Sequence, residues 1–442
     1  MNVSEQIKRY GLGKAFQYVY KNPDENLLKI IDWADVFAKG EFKTQREVVR
    51  EAMTNPEHPY YSYIRRLISD VDPHVLQTLS FNFFVNASMI GWPILEKNRM
   101  KYGCNIPWTI LLDPTSACNL HCTGCWAAEY GNKLNLTFDD IDNIIVQGKQ
   151  LGVYMYIYTG GEPLVRKDDL IRICEKHNDC VFLCFTNSTL IDDKFTDEML
   201  RVGNFVPAIS LEGDEFATDS RRGAGVYKKV MNAIQLLKEK KLVYGISSCY
   251  TSKNFDSITS EKYFDELINL GAYFIWYFHY MPVGNDACID LLPTCQQRKM
   301  IYERIRKYRV EKPLFAIDFQ NDAEYVQGCI AGGRRYLHIN ANGDVDPCVF
   351  IHYSDSNIHE KTLLESLQSP MMMQYHDNQP FNENMLRPCP MLENPEILPE
   401  MVKNAQASST DLQSPETAEH LCEKCKLYSK EWKPLADELW KK

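Results

Sequence analysis

The stretch "DPTSACNLHCTGCWAAEYG" (residues 113–131) places three cysteines, Cys118, Cys122 and Cys125, within eight residues. It directly follows the apolar run "TILLD" (109–113), which predicts a buried strand. Three thiolates at this spacing can hold three irons of a 4Fe–4S cluster and leave the fourth iron open to another ligand. A zinc site completed by His121 or by a distant residue is the alternative. The stretch therefore predicts a metal centre at the end of the first strand.

Five more apolar runs of strand length follow, separated by amphipathic helical patterns. The runs are "YMYIYT" (154–159), "VFLCFT" (181–186), "FVPAISL" (205–211), "VYGISSCY" (243–250) and "YFIWYFHY" (273–280). This alternation predicts a parallel sheet that curves into a barrel. The expected fold class is α/β, with a partial (β/α)6 TIM-like barrel, an N-terminal helical region and a small C-terminal metal-cluster domain.

Three regions are expected along the chain. Residues 1–103 have apolar positions at helical spacing, as in "NLLKIIDWADVFAKG", and residues 104–312 form the barrel core. Residues 313–442 are rich in turns and cysteines and suggest a domain that does not depend on a large core. The uncharged segment 74–95 is long enough to span a bilayer, but its polar, Gly and Pro residues favour a buried helix pair. A lipid-facing surface is the alternative for this segment.

The composition excludes several classes of protein. The chain has 442 residues and a formal net charge of −10, so nucleic acid is not an expected partner. Its 15 cysteines are spread over a long chain, unlike those of a short secreted disulfide scaffold. The first residues, "MNVSEQIKRYGLGKAF", lack the apolar core of a signal peptide. We therefore expect a cytoplasmic protein without a transmembrane segment.

The loop "CNLHCTGC" resembles the cluster loop of the radical S-adenosylmethionine (radical SAM) superfamily. It departs from that family's pattern in one detail, because Gly124 precedes the last cysteine and the aromatic Trp126 follows it. The resemblance implies that the open iron chelates S-adenosylmethionine. Reductive cleavage then yields a 5′-deoxyadenosyl radical that abstracts hydrogen from a substrate. It also implies a reductant such as flavodoxin or ferredoxin as a partner.

The turn "TGGEP" (159–163) follows the second apolar run and matches the GGEP turn of the same family. Gly160 and Gly161 allow the backbone to approach a ligand closely. Glu162 can accept a hydrogen bond from the methionine ammonium group. By itself this sequence would be an ordinary tight turn, and its position after the triple-cysteine loop makes it a predicted cofactor site.

Three later stretches resemble the family more weakly. "FTNSTLID" keeps Asn187 of a TNG-like turn, and "ISLEG" places Ser210 and Glu212 where the family faces the ribose. In "SRRGAGVY", the family resemblance implies that Arg221 or Arg222 pairs with the methionine carboxylate. A solvated helix start is the alternative interpretation of the two arginines.

The C-terminal cysteines resemble the SPASM/twitch extension of radical SAM enzymes, which binds an auxiliary cluster. Gly343 is expected to turn a hairpin in "YLHINANGDVDPCVF" and so to bring Cys329 close to Cys348. The expected ligands are Cys329, Cys348, Cys422 and Cys425, with Cys389 as the main rival. A zinc ribbon is the alternative.

The sixth run ends in "YFHYMPVG" (277–284) at the edge where barrel enzymes build their sites. Strand alternation puts Tyr277 and His279 on one face, and Phe278 and Tyr280 on the other. We expect His279 or Tyr280 to position or protonate the substrate, although packing between strand and helix would also explain them.

Three classes of function are consistent with these motifs. A peptide or protein side chain is modestly favoured, and a lipid or another apolar molecule is the second candidate. A non-catalytic electron carrier or zinc protein is the third reading.

Overall fold

In the computed structural model, which describes residues 3–37, 43–127 and 130–441, all six predicted barrel strands are present. They are β1 (Thr109–Leu112), β2 (Met155–Tyr158), β3 (Val181–Thr186), β4 (Phe205–Ser210), β5 (Gly245–Tyr250) and β6 (Phe274–His279). Every neighbouring pair among them is parallel. The predicted α/β fold class is confirmed.

The chain before the barrel is helical, as the sequence predicts. Its helices are α1 (Val3–Lys21), α2 (Pro23–Phe37), α3 (Lys43–Thr54), α4 (Pro59–Asp70), α5 (Pro73–Ser80) and α6 (Trp92–Tyr102). A π-helical segment, Phe81–Gly91, joins α5 to α6 without a break. No helix within the described residues is long and apolar enough to cross a membrane.

The predicted helix pair over residues 74–95 is wrong, because one helix runs without a break from α5 to α6. The side chains of Asn82 and Asn86, which looked like interruptions, are buried and donate hydrogen bonds to backbone carbonyls of residues 178–180. At Gly91, an added Cβ would lie 2.4 Å from the carbonyl oxygen of Gly152. The polar and glycine positions thus anchor one continuous helix against the barrel.

The helices that follow the barrel strands pack on the outer face of the sheet. They are α7 (Phe138–Leu151), α8 (Lys167–Lys176), α9 (Asp193–Val202), α10 (Glu215–Arg222), α11 (Val226–Glu239), α12 (Phe255–Ile258), α13 (Glu261–Leu270) and α14 (Cys295–Glu311). At the start of α7, Thr137 and Asp140 form a reciprocal capping box. Because these helices pack on the outer face, the inner face of the sheet is free to form a cavity.

Residues beyond 312 extend the sheet at both edges, which the sequence did not predict. The added strands are β7 (Phe315–Asp318), β8 (Tyr336–Ile339) and β9 (Val345–Asp346). The strand order is β7-β6-β5-β4-β3-β2-β1-β8-β9, in which only the β8–β9 pair is antiparallel. These strands pair with the edge groups that β1 and β6 would otherwise leave free. The boundary at residue 312 stays a prediction.

The C-terminal region also has a substantial apolar core, contrary to the sequence-based expectation. Two short strands, β10 (Tyr353–Ser354) and β11 (Ser408–Ser409), pair with each other. Between them lie the helices α15 (Leu363–Leu367), α16 (Pro370–Asn378) and α17 (Ile397–Ala405), and α18 (Ala418–Trp440) follows β11. Trp432 on α18 and Tyr375 on α16 are fully buried, in one cluster with the inner face of β1 and β2. The expectation failed because these apolar residues are widely spaced in a turn-rich sequence.

Candidate active site

The three clustered cysteines line one cavity, of about 470 Å³, at the carboxyl ends of the barrel strands. The backbone N–H of Leu120 donates to Cys118 Sγ at 3.4 Å, and that of Ala127 donates to Cys125. Such bonds stabilise a thiolate and so suit a metal ligand. Burial raises the pKa of Cys118 to about 11, so cluster binding must displace its proton. This donor set fits a three-thiolate cluster site.

The GGEP turn packs directly against the start of the cluster loop. The N–H of Gly161 donates to the carbonyl of Thr115 at 3.1 Å, and the N–H of Glu162 donates to that of Ala117 at 2.8 Å. A Cβ at Gly161 would lie 2.3 Å from the Ala117 carbonyl oxygen. The glycines are therefore required for two loops to meet, in addition to any approach to a ligand.

Glu162 is buried and lines the cavity. Its carboxylate accepts three hydrogen bonds: from Leu164 N–H at 3.0 Å, Thr186 Oγ1 at 2.6 Å and Asn187 N–H at 2.7 Å. Burial raises the pKa of Glu162, and these three donors oppose that rise. A carboxylate has about four acceptor positions, so one remains for a further donor.

Asn187 and Ser210 also line the cavity, at the ends of β3 and β4. The Asn187 side chain donates to Asn119 Oδ1 in the cluster loop at 2.9 Å. Ser188, which replaces the glycine of the family pattern, has a φ of 59°, a left-handed conformation that favours glycine. The third loop is thus tied to the first two around the same space.

Arg221 and Arg222 line the cavity, whereas their common partner Glu212 lies behind them. Both guanidinium groups contact Glu212 Oε1, at 2.6 and 2.5 Å. Burial alone would raise the pKa of Glu212, but the two arginines hold it below its usual value. Arg222 Nη1 also lies 3.9 Å from Cys122 Sγ. Glu212 is thus placed to orient the arginines, and its predicted contact with the ribose stays a prediction.

The sixth strand presents Trp276 and Phe278 to the cavity, and Tyr277 points away from it toward the Ile258 carbonyl. His279 lies at the cavity wall with both ring nitrogens engaged: Nδ1 donates to the Tyr280 carbonyl at 2.5 Å, and Nε2 accepts from Tyr428 at 2.7 Å. Burial lowers the pKa of His279 well below its usual value, so the ring is neutral.

Tyr280 packs against the cluster loop. Its hydroxyl accepts a hydrogen bond from Cys288 N–H at 3.0 Å, and its ring covers Gly124, where a Cβ would approach to 2.7 Å. An aromatic residue at position 124, as in the family pattern, would collide with Tyr280. Both predicted residues of the sixth strand border the cavity, and their predicted roles toward a substrate stay predictions.

Cys329, Cys348 and Cys389 line a second cavity. Each of these thiols accepts a backbone N–H, from Ala331, Phe350 and Leu392 respectively. The Tyr336 hydroxyl lies 2.7 Å from Cys348 Sγ. The hairpin formed by β8 and β9, with Gly343 at a φ of 87°, brings the first two cysteines together as the sequence predicts.

Cys422 and Cys425 lie one turn apart on α18, where both are buried. The thiol of Cys425 donates back to the Leu421 carbonyl at 3.8 Å, within the helix. Cys422 instead lies near Tyr375, whose pKa is raised by burial and by the charges of Cys329, Cys348, Cys389 and Cys422. The Tyr375 hydroxyl is buried without a partner. Four thiols are thus near enough to affect the pKa of one unpaired buried hydroxyl.

An aromatic wall separates the two cavities. Trp276, Phe319, Tyr336 and Phe350 line both of them. Phe278 extends the wall, with ring centroids 5.5 Å from Trp276 and 5.3 Å from Phe319. The barrel interior between the two thiol sites is therefore apolar.

A buried charged network behind the cluster loop was missed by the sequence reasoning. His338 Nε2 lies 2.9 Å from Asp113 and Nδ1 lies 3.3 Å from Asp346, and the His338 side chain has no exposed surface. Burial opposes protonation, but the two carboxylates raise the pKa of His338 to about 9. Tyr130 donates to Asp346 at 3.2 Å. His338 and Asp346 are cross-strand partners in the predicted hairpin, a signal that was available in "YLHINANGDVD".

Two family models match parts of the chain that contain clustered cysteines. The family model of the Radical SAM superfamily matches residues 112–253, which contain the cluster loop and the GGEP turn. The model of SPASM, an iron–sulfur cluster-binding domain, matches residues 329–391. The second range includes Cys329, Cys348 and Cys389 and ends before α18.

The individual proteins that resemble this chain do so at low sequence identity. The AdoMet-dependent heme synthase of Methanosarcina barkeri is 25% identical over 293 residues, which cover 59% of this chain and 82% of that protein. The PqqA peptide cyclase of Granulibacter bethesdensis is 25% identical over 264 residues, covering 55% and 67%. The structure of Streptococcus suis SuiB bound to precursor peptide SuiA covers 66% of this chain and 69% of that chain. It has 19% identity and a TM-score of 0.52, which indicates a shared fold.

Proposed function

We propose, from the premise that this chain belongs to the radical SAM superfamily and carries a SPASM domain, that it removes a hydrogen atom from an unactivated carbon of an apolar substrate group. The chain is an enzyme that binds S-adenosylmethionine and 4Fe–4S clusters. These groups, when bound, supply the one-electron chemistry that converts the cofactor to 5′-deoxyadenosine. One observation carries the proposal: a single cavity joins the three thiols, the GGEP turn and the aromatic barrel interior.

The residues around this cavity divide the work of holding the cofactors. Cys118, Cys122 and Cys125 would ligate the cluster. Glu162 would use its remaining acceptor position for the methionine ammonium group. Arg222, whose Nη1 lies 3.9 Å from Cys122 Sγ, would pair with the methionine carboxylate of the cofactor.

The apolar wall would hold the substrate and exclude water from the reacting carbon. Trp276 and Phe278 cover the inner face of β6 beside the cluster loop. His279 is neutral and bound on both nitrogens, which supports a positioning role more than proton transfer. Tyr280 would set the distance between the substrate space and the cluster loop, because it rests on Gly124.

We assign the auxiliary cluster to Cys329, Cys348, Cys389 and Cys422. The first three thiols accept backbone N–H bonds and share one cavity, and the fourth lies near the same unpaired Tyr375 hydroxyl. This assignment replaces Cys425 of the sequence-based set by Cys389. The reason is that the Cys425 thiol is directed along its own helix.

Two substrate classes fit an apolar reaction space. A peptide or protein side chain is supported by the relatives, since one is a PqqA peptide cyclase and the SuiB structure contains a precursor peptide. A lipid or another small apolar molecule is favoured by the cavity itself. Its lining continues through the barrel to Trp92 and Trp108, beyond the region near the thiols. A flavodoxin or ferredoxin in the cytoplasm is the proposed electron donor in both cases.

The test is anaerobic reconstitution followed by measurement of 5′-deoxyadenosine release with dithionite as reductant. The wild type is expected to release it, and a Cys118→Ala, Cys122→Ala, Cys125→Ala variant is not. Cell extract divided into a lipid fraction and a peptide fraction then identifies the substrate class by which fraction stimulates release. Equal release by the triple variant would contradict the proposed function.

A further inference from the structure

The cavity that begins at the cluster loop ends at the opposite, amino-terminal side of the barrel. Its lining includes Thr109, the first residue of β1, and Arg335, which directly precedes β8. Trp92 of α6 lines the same end and is 36% exposed, so this end of the cavity lies close to the protein surface. A ligand that enters at this end would pass along the aromatic wall toward the thiols.

Arg335 belongs to a local group of three arginines, and the acidic residue near them, Glu96, is ion-paired with Arg99. Arg99 is bound to Glu96 at 2.5 Å and to the Ile106 carbonyl. Arg334 donates to backbone carbonyls, including that of Cys329 at 2.6 Å. Arg335 makes no ion pair or side-chain hydrogen bond within the part of the chain that the structure describes.

The guanidinium of Arg335 is held in place by packing. It lies over the Trp92 ring, 4.9 Å from the centroid. The Arg335 carbonyl accepts from the N–H groups of Trp108 and Thr109 at 2.8 and 3.0 Å, which fixes its backbone beside β1. A cation positioned in this way at the mouth of an apolar cavity is suited to bind an anionic group.

Two residues that line the cavity each have a buried polar atom without a partner. Thr109 Oγ1 and Trp276 Nε1 are buried and make no hydrogen bond. Thr109 as a whole is only 8% exposed. Neither atom has accessible surface, so each could bond a ligand in the cavity only after its side chain turns.

From these observations we infer that the cavity binds a long-chain molecule with a singly charged anionic head, such as a fatty acid, with the head group on Arg335 and the alkyl chain along the aromatic wall. A single unpaired guanidinium matches one negative charge. The aromatic and aliphatic lining between Arg335 and the cluster loop suits an alkyl chain. A mid-chain carbon, and not the head, then lies nearest the cluster loop. This inference rests on the radical chemistry proposed above and takes up its second substrate class.

The test uses reconstituted holoenzyme and 9,10-dibromostearate, which quenches tryptophan fluorescence at short range. Trp92, Trp108 and Trp276 line the cavity, so binding there is expected to give saturable quenching. The methyl ester of the same acid has no charge and is expected to bind about tenfold to 100-fold more weakly, as for loss of a charge-assisted hydrogen bond.

Two charge-removing variants make the test specific. Arg335→Gln is expected to bind acid and ester equally, and Arg335→Lys to regain part of the preference for the acid. Lys97→Gln is the matched control, since Lys97 is exposed on the same helix α6 and is expected to keep the full preference. Iron content and far-UV circular dichroism establish that each variant is folded.

Equal binding of acid and ester by the wild type, or full discrimination by Arg335→Gln, would overturn the inference. It would also be overturned if the blocked peptide acetyl-Phe-Leu-Leu-Phe-amide displaced the quencher better than stearate, because a peptide would then be the fitting occupant. Release of 5′-deoxyadenosine is measured on the same preparation. Its absence alongside Arg335-dependent binding would count against the proposed function and leave the ligand assignment standing.

Discussion

The thiols of the cluster loop have charged and polar neighbours, whereas the thiols of the C-terminal cavity have mainly aromatic ones. Arg222 and Glu162 border the first site. Tyr336 and Phe350, which line both cavities, border the second, and the unpaired hydroxyl of Tyr375 lies near its thiols. The first offers three ligands beside groups that can hold a charged cofactor, and the second offers more thiols than one cluster requires. In the proposed assignment, the same residue type builds an open, reactive centre at one place and a closed one at the other.

The largest expected difference between the two sites is in cofactor cleavage. Cys122→Ala is expected to reduce 5′-deoxyadenosine release to background, because the cluster loop loses one of only three ligands. Cys348→Ala is expected to retain release, measured by liquid chromatography under dithionite. Cys174→Ala, a buried core cysteine, is the matched control for loss of a thiol. Loss of release in Cys348→Ala with an intact first cluster would remove the distinction between the sites.

Iron content measures the two sites separately. Reconstituted wild type is expected to hold about eight irons, and the Cys118→Ala, Cys122→Ala, Cys125→Ala variant about four, if each site holds one 4Fe–4S cluster. Zinc in place of iron in that variant, detected by mass spectrometry, would show a structural metal in the C-terminal site.

The ligand set of the second site gives a sharper division. Cys389→Ala is expected to lose auxiliary iron, because its thiol shares a cavity with Cys329 and Cys348. Cys425→Ala is expected to keep that iron, because its thiol is directed to the Leu421 carbonyl. Both are measured in the triple variant of the cluster loop, so that all remaining iron is auxiliary. The reverse pattern would restore the sequence-based set.

A smaller effect is expected at the cofactor-binding carboxylate of the open site. Glu162→Gln is expected to weaken S-adenosylmethionine binding by about 1.5–3 kcal/mol, the cost of losing a charge-assisted hydrogen bond. Equilibrium dialysis against labelled cofactor measures this change, with iron content as a check on the cluster. Glu400→Gln, an exposed glutamate on α17, serves as the control. Unchanged affinity in Glu162→Gln would exclude a direct contact.

The smallest effect concerns the network that joins the two regions. The pKa of His338 is raised to about 9, above its usual value, so its ion pairs with Asp113 and Asp346 stabilise the folded state most below pH 6.5. This stabilisation is lost as the pH rises through 9. The thermal midpoint is therefore expected to fall between pH 7 and pH 9.5.

His338→Gln should reduce the fall in the thermal midpoint between pH 7 and pH 9.5. Titratable neighbours of the network are Tyr130, His352 and Asp411, which remain in the variant. His359→Gln, at a half-exposed position, is the control and should keep the wild-type slope. Identical slopes in wild type and His338→Gln would exclude the network as the source.

The barrel was predictable from sequence because its strands are apolar runs of regular spacing, as in "VFLCFT" for β3. Strand β7 was not predicted, and the hairpin predicted at β8 and β9 gave no sign that β8 pairs with β1, which lies far earlier in the chain. The helix joining α5 to α6 was misjudged because its asparagines bond to the barrel, a tertiary contact without a local signature.

In the candidate site, too, local sequence patterns were predictive and long-range contacts were not. The cluster loop carries its cysteines within a few residues, so their spacing indicated Cys118, whereas Glu162 was indicated by the resemblance to the family's GGEP turn. The C-terminal cysteines are separated by long stretches, and spacing could not decide between Cys389 and Cys425. Only the direction of each thiol distinguishes them, and that depends on whether the local backbone N–H is free to bond sulfur.

The measurement that tests the account most directly is electron paramagnetic resonance of the two single-cluster proteins, each reduced and then mixed with S-adenosylmethionine. One protein lacks the cluster-loop thiols, and the other has Cys329, Cys348 and Cys389 replaced by alanine. The account predicts that the cofactor changes the spectrum of the second protein, whose cluster has an open iron, and leaves that of the first unchanged. A cofactor-dependent change in the protein without Cys118, Cys122 and Cys125 would contradict it.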